Sequence, residues 1–255
     1  MKKVAFTIVA LSIVTLFTAC KEETPETPVV ENNKELVAIA DTAPKTQYLY
    51  VTAPSGLTLR EFNNLNSEKL AVMPYGTKLE VLTSETNKTM TVAGVAGGMN
   101  QVTYNNKTGF AFNGFLSKFF PPEKNSNAKM YVEDLRATFP DTSFTETTGG
   151  TASKPSNTQT IILPTQNWHE AFYIAQQLYE IPMTFGFPNP KGTIMQTIQN
   201  KKMPVQLSVS ELKVERNDTS LEKITYLQAA EAFKSSVLIS KEAGNMKIEY
   251  STVVE

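Results

Sequence analysis

Few residues in this sequence could carry nucleophilic or metal chemistry, because the chain has one cysteine, Cys20, and one histidine, His169. A cysteine peptidase needs both, the cysteine as nucleophile and the histidine as its base. A zinc site normally takes several His or Cys ligands, so His169 and Glu170 would need distant carboxylates to complete one. We therefore expect these two residues to cap and solvate the first turn of a helix, and we expect no catalytic residues, metal or cofactor.

Composition places the chain among ordinary globular proteins. It has 255 residues, of which 41% are hydrophobic and 19% charged, enough for one or two domains with their own cores. The formal net charge of -1 implies no strongly basic surface. We therefore expect no nucleic-acid partner.

The N-terminus has the three parts of a cleaved leader. Lys2 and Lys3 are followed by an uncharged apolar run at residues 4–17 and then by Thr18 and Ala19. The run is shorter than the roughly 20 residues that span a bilayer as a helix. Residues 1–19 are therefore predicted to be a signal peptide that is removed.

Residues 16–20 (LFTAC) resemble a bacterial lipobox, in which the cysteine thiol is acylated and the cysteine becomes the new N-terminus. The resemblance implies lipidation at Cys20 and anchoring to a membrane, which two or more acyl chains make stable. Since Cys20 has no second cysteine to pair with, it cannot form an intramolecular disulfide. The alternative is an ordinary secretory leader that ends at an incidental cysteine.

Residues 20–46 are rich in Thr, Pro and Glu and contain few large apolar side chains, which predicts a disordered tether. Its first residues, 21–23 (KEE), resemble the surface-export signal of lipoproteins in the Bacteroidota, although an acidic solvated linker would look the same. Residues 41–43 (DTA) resemble the O-glycosylation motif of that phylum, with Thr42 as acceptor. We expect a cell-envelope protein, lipid-anchored to the outer membrane and exposed at the cell surface if the export signal operates.

From residue 47 to residue 120 the sequence changes to short β-rich segments separated by glycines. Leu57 and Leu59 alternate with polar neighbours, as do Leu79 and Val81. This pattern predicts a small antiparallel barrel.

Three segments of this region resemble bacterial SH3 (SH3b) domains and follow one another in the family's order. They are residues 52–61 (TAPSGLTLRE), 74–82 (PYGTKLEVL) and 99–116 (MNQVTYNNKTGFAFNGFL). The resemblance covers residues 47–120 and implies an SH3-like barrel that binds cell-wall peptide or a protein partner without a catalytic set of its own. Fold alone does not define the ligand.

The sequence departs from the SH3b pattern in two places. Met99 occupies a position that is often Trp, and residues 83–98 are longer than usual, as though a hairpin were inserted. Any ligand mode that uses that Trp is therefore in doubt. The binding residues stay unassigned, and the aromatic candidates for a groove are Tyr48, Tyr75, Tyr104, Phe110, Phe112 and Phe115.

Residues 121–127 are predicted to be a linker and residues 128–255 an α+β domain of unassigned type, with two helices on an antiparallel sheet. One helix should begin after an Asn127 cap and end before Pro140; the other should begin after Asn167, with Glu170 reaching back to the cap. Alternation at residues 205–209 predicts a strand with a bulge or bend near Ser210, and residues 244–245 predict a hairpin turn. The whole chain is thus expected to be mainly β, of the α+β class.

The leading hypothesis is a non-enzymatic, lipid-anchored envelope protein that binds peptidoglycan or another envelope protein. A second hypothesis is a hydrolase that acts on envelope carbohydrate through paired carboxylates, one of them with a raised pKa. A third is an inhibitor or immunity-type lipoprotein, for which a flat, exposed apolar patch on the sheet would be the sign.

Overall fold

The computed structural model describes residues 46–218 and 220–254. The predicted signal peptide, the lipidation site at Cys20, the acceptor Thr42 and the tether up to residue 45 lie outside the described residues. The fold is mainly β, with antiparallel sheets and two helices, which confirms the predicted class. The described residues form one compact unit. The domain boundary at residues 121–127 stays a prediction.

The first sheet is built from residues 47–117 and pairs its strands in the order β3-β2-β8-β7-β4-β1-β9. A separate two-stranded hairpin, β5-β6, interrupts it at the predicted insertion, and a single 3-10 turn at Asn113–Phe115 leads into the last strand. The strands are β1 (Gln47–Val51), β2 (Leu57–Arg60), β3 (Lys69–Met73), β4 (Lys78–Thr83), β5 (Met90–Val92), β6 (Val95–Gly97), β7 (Met99–Tyr104), β8 (Lys107–Phe112) and β9 (Leu116–Ser117).

Apolar alternation and turn chemistry explain this sheet. Leu57, Leu59 and Leu79 turn inward and are buried, while their neighbours in the strands are more exposed. Asn105 and Asn106 both have positive φ between β7 and β8, the conformation of the tight hairpin turn that Asn tolerates best after Gly.

The second sheet has seven antiparallel strands in the order β10-β11-β16-β15-β14-β13-β12. Two helices accompany it, α1 (Ala128–Arg136) and α2 (Trp168–Leu178). The strands are β10 (Ser143–Gly150), β11 (Pro155–Leu163), β12 (Met195–Gln199), β13 (Val209–Arg216), β14 (Leu221–Ala230), β15 (Phe233–Glu242) and β16 (Asn245–Val254).

The inner face of the second sheet packs on the helices, and its outer face is charged. Ile161, Ile224 and Ile248 are fully buried on the inner face, and α2 buries nine of its eleven residues. On the outer face, ion pairs such as Lys223–Glu215 (3.2 Å) and Lys247–Glu242 (3.1 Å) are partly exposed. Such pairs stabilise the protein little, so the inner face supplies most of the stability.

Several local predictions for the second sheet were wrong. Residues 205–208 are a turn and not a strand, and Val205 is 98% exposed. The parity slip near Ser210 therefore reflects the bend at Ser208, directly before β13, and a further irregularity in the strand pairing lies at Glu215/Arg216. The hairpin turn is at Ala243–Gly244, one residue before the predicted position, because these residues both have positive φ.

Candidate functional site

Glu170 does not solvate the first turn of α2, as the sequence predicted, but is buried, with 5% of its surface exposed. Its carboxylate accepts hydrogen bonds from the hydroxyls of Ser117 and Thr165, both at 2.5 Å, and from the side-chain amide of Asn167 at 3.1 Å. Asn167 is the N-cap residue, but its side chain does not cap the helix. Because Ser117 lies in β9, this carboxylate joins the first sheet to α2.

His169 packs edge-on against Phe187, with 6.1 Å between ring centroids. It lines a cavity of about 150 Å³ together with Lys88 and Gly97 of the inserted segment. Burial lowers the pKa of His169 below its ordinary value of 6.5; Lys88 lowers it further, and Glu170 opposes the shift. The folded protein thus favours the neutral ring.

This shift predicts how stability depends on pH. Below pH 6.5 the unfolded chain binds the proton of His169 more readily than the folded protein does. The contribution of the neutral His169 ring to the free energy of unfolding is therefore fully present above pH 6.5 and is lost as the pH falls. We expect wild type to lose more stability between pH 7.5 and pH 5.5 than His169→Gln, measured by urea unfolding at both pH values. Equal losses in the two proteins would show that His169 does not couple to folding.

The groove of the first sheet, called the hairpin groove below, has a volume of about 380 Å³. One wall is the inserted hairpin, at Val92 and Ala93; the floor includes Met99, and the edge carries Arg60. Its remaining lining residues include Pro54, Leu57, Leu65, Phe112, Phe115 and Tyr173. The insertion that distinguishes this chain from the SH3b pattern thus shapes the groove.

Two buried or half-buried asparagines hold the inserted segment in place. Asn113 donates to the backbone oxygen of Glu85 at 2.8 Å and to Asn100 Oδ1 at 3.0 Å, and it accepts from the amide of Gly98 at 2.8 Å. Asn100 Oδ1 also accepts from the amide of Glu85 at 2.9 Å. This network makes the hairpin a rigid wall of the groove.

The helix of the second half closes the other side of the groove. Tyr173 of α2 lies 6.2 Å from the ring of Phe115, and Phe115 in turn packs edge-on against Phe112 at 5.4 Å. Burial raises the pKa of Tyr173 to about 12, so its hydroxyl remains protonated and able to donate. Arg60 donates to the backbone oxygen of Ser67 at 2.8 Å and has no carboxylate partner within the described part of the chain.

Of the six aromatic candidates, the structure brings Phe112 and Phe115 together in the hairpin groove. Tyr75 lies elsewhere and donates its hydroxyl to the backbone oxygen of Pro122 at 3.0 Å. Tyr48 is exposed beneath the ammonium group of Lys78, while Tyr104 and Phe110 pack against the core. Sequence reasoning missed Tyr173 and Leu65, since neither belongs to a strand of the first sheet.

Among residues 46–218 and 220–254, no three His, Cys, Asp or Glu side chains cluster closely enough to hold a metal ion. Neither helix in this range is long and apolar enough to cross a bilayer. No protein-family model, curated protein or solved structure matches this chain.

Proposed function

We propose that this protein is a non-enzymatic, lipid-anchored binding protein of the cell envelope, whose hairpin groove binds peptide from the cell wall. The observation that carries the proposal is the groove itself, which is lined by apolar side chains and by Arg60, an arginine that has no acidic partner among the described residues. Arg60 supplies the charge, and Met99, Phe112 and Phe115 supply the apolar surface.

The chemistry of the groove fits a short peptide with small side chains and free carboxylates. Its volume of about 380 Å³ lies within the range of known ligand sites, about 300–1,000 Å³. An Arg side chain binds a carboxylate through two parallel hydrogen bonds, which gives orientation as well as affinity. Cell-wall stem peptides combine methyl side chains with carboxylates, so both features of the groove have a counterpart in the ligand.

A charge placed within the groove tests this proposal. Leu65 lines the groove and is 38% exposed, so Leu65→Lys should fold normally but leave an ammonium group against the ligand's apolar side. We expect co-sedimentation of the full chain with purified peptidoglycan sacculi to weaken about tenfold, which corresponds to the loss of one well-buried apolar contact.

The matched control is Val205→Lys, which adds the same charge at a site that is 98% exposed and outside the groove. It should sediment like wild type. If both variants lose sedimentation equally, the groove is not the binding site.

A second candidate function, an inhibitor or immunity-type lipoprotein, is favoured by the edge of the second sheet. Strand β12 is an edge strand, and the neighbouring side chains of Ile194 and Met195 are 64% and 63% exposed. Exposed edges with apolar side chains pair readily with strands of other proteins. Loss of a protein complex in Ile194→Lys, with sedimentation on sacculi unchanged, would support this function.

A further inference from the structure

A second cavity, unrelated to the hairpin groove, lies between the end of α2, the start of α1 and the second sheet. Its volume is about 330 Å³, and it is called the tyrosine cavity below. Its lining residues include Ser126, Gln159, Tyr179, Glu180, Gln228 and Tyr250.

Two buried hydroxyls, those of Ser126 and Tyr179, have no hydrogen-bond partner among the described residues, and Tyr179 is only 8% exposed. Buried polar groups in native proteins are almost always paired. Both residues line the cavity, so a ligand that binds there would supply the missing partner once the hydroxyls turn toward it.

The amide side chains of Gln228 and Gln159 are held so that each presents a different group to the cavity. Gln228 accepts a hydrogen bond from Tyr226 at 2.9 Å, which leaves its NH2 group to donate. Gln159 donates to Glu146 at 2.9 Å, which leaves its carbonyl oxygen to accept. The cavity thus offers a fixed donor and a fixed acceptor.

Gln228 is oriented from behind by a chain of hydrogen bonds. Asn200 donates to Ser210 at 3.2 Å, and Ser210 lies 3.2 Å from the hydroxyl of Tyr226. Ser210 is fully buried and Tyr226 is 1% exposed. A satisfied buried network of this kind rigidifies the side chain at its end.

The tyrosine cavity also combines aromatic surface with a strained backbone conformation. Tyr179 and Tyr250 stack with ring centroids 4.5 Å apart and an interplanar angle of 19°. Glu180, which lines the cavity, has a φ of 53°, in the left-handed region that few side chains other than Asn tolerate. Strained non-glycine residues are concentrated at functional sites.

We propose that the tyrosine cavity binds a small neutral saccharide, with the stacked tyrosines against the sugar ring and the amides and hydroxyls on its hydroxyl groups. No Lys or Arg lines the cavity, and Glu180 contributes a carboxylate, which disfavours anionic ligands. Sugar hydroxyls both donate and accept, so they match the mixed donors and acceptors present.

The cavity is assigned binding and not cleavage, because a glycosidase uses a pair of carboxyl groups and Glu180 is the one carboxylate among the described residues that line it. A glycosidase needs a carboxyl of raised pKa as its general acid. The carboxyl behind Gln159, Glu146, has a lowered pKa because Gln159 and Asn157 both donate hydrogen bonds to it. Glu146 is thus an ionised group that orients Gln159.

Calorimetric titration of the full chain with N-acetylglucosamine and its trimer tests the proposal. We expect saturable binding of a saccharide that Tyr179→Phe weakens about tenfold, since one hydrogen bond is lost. The thermal midpoint of Tyr179→Phe should equal or exceed that of wild type, because the removed hydroxyl has no protein partner. A fall in affinity without a fall in stability identifies the Tyr179 hydroxyl as one that binds the ligand.

The matched control is Tyr104→Phe, which removes a hydroxyl on the first sheet, outside the cavity, and should bind like wild type. Ser126→Ala is the second variant and should weaken saccharide binding, without lowering stability, as Tyr179→Phe does. Absence of saccharide binding by wild type would overturn the proposal. Unchanged affinity in both cavity variants would also overturn it. Preferential binding of choline or inorganic phosphate over the sugars would do the same. Sedimentation on sacculi that soluble stem peptides still lower in these variants separates this site from the hairpin groove.

Discussion

Glu170→Ala is expected to lower the free energy of unfolding by about 3 kcal/mol. The substitution leaves the hydroxyls of Ser117 and Thr165 and the amide of Asn167 without their common acceptor, in a site where Glu170 itself is 5% exposed. Buried groups that lose a charged partner cost about 1–3 kcal/mol each, less where the site relaxes. Urea unfolding of the full chain measures the loss, and the thermal midpoint should fall by about 6–12 °C.

Glu133→Ala serves as the control for this substitution, since Glu133 is an exposed glutamate within α1. It should change the free energy of unfolding by less than about 0.5 kcal/mol. A loss in Glu170→Ala no larger than in this control would contradict the view that the carboxylate ties the first sheet to α2.

Gly109→Ala is expected to cost about 2–3 kcal/mol of stability and to weaken binding in the hairpin groove. A β-carbon at this position would lie 2.5 Å from the backbone oxygen of Arg60 and 3.0 Å from Leu59 Cγ. The backbone oxygen belongs to the neighbouring strand β2 and cannot rotate away, so the strands themselves must shift. Because Arg60 lines the groove, the shift should also reduce sedimentation with sacculi.

The control for the glycine substitution is Gly186→Ala. An added β-carbon there meets no atom within 4 Å, and the residue does not have positive φ. It should leave stability unchanged or raise it by about 0.4–1 kcal/mol. If Gly109→Ala unfolds at the same urea concentration as Gly186→Ala, then β2 and β8 do not pack as closely as the structure shows.

Regular alternation and side-chain caps made much of the fold predictable from the sequence. Leu57 and Leu59 identified β2, and Asn127 identified the start of α1, where its side chain accepts a hydrogen bond from the amide of Met130 at 3.1 Å. Both signals are local, so the information needed to read them lies within a few residues. The inserted hairpin was likewise visible as excess length between two strands.

Features that depend on distant parts of the chain could not be predicted. Glu170 looked like a solvated capping residue because its partner Ser117 lies 53 residues away. Val205 belongs to an apparent alternating run, yet the turn that contains it never joins the sheet. The tyrosine cavity brings together Ser126, Tyr179 and Tyr250, whose proximity depends on how α2 packs against β16.

Competition for sacculi tests the central claim, that the hairpin groove binds cell-wall peptide, most directly. The full chain is sedimented with purified peptidoglycan at low and moderate salt, with and without soluble stem peptides or soluble glycan strands. We predict saturable sedimentation at both salt concentrations that stem peptides lower and that Leu65→Lys also lowers, about tenfold. No sedimentation at either salt, or sedimentation that stem peptides leave unchanged, would contradict the claim.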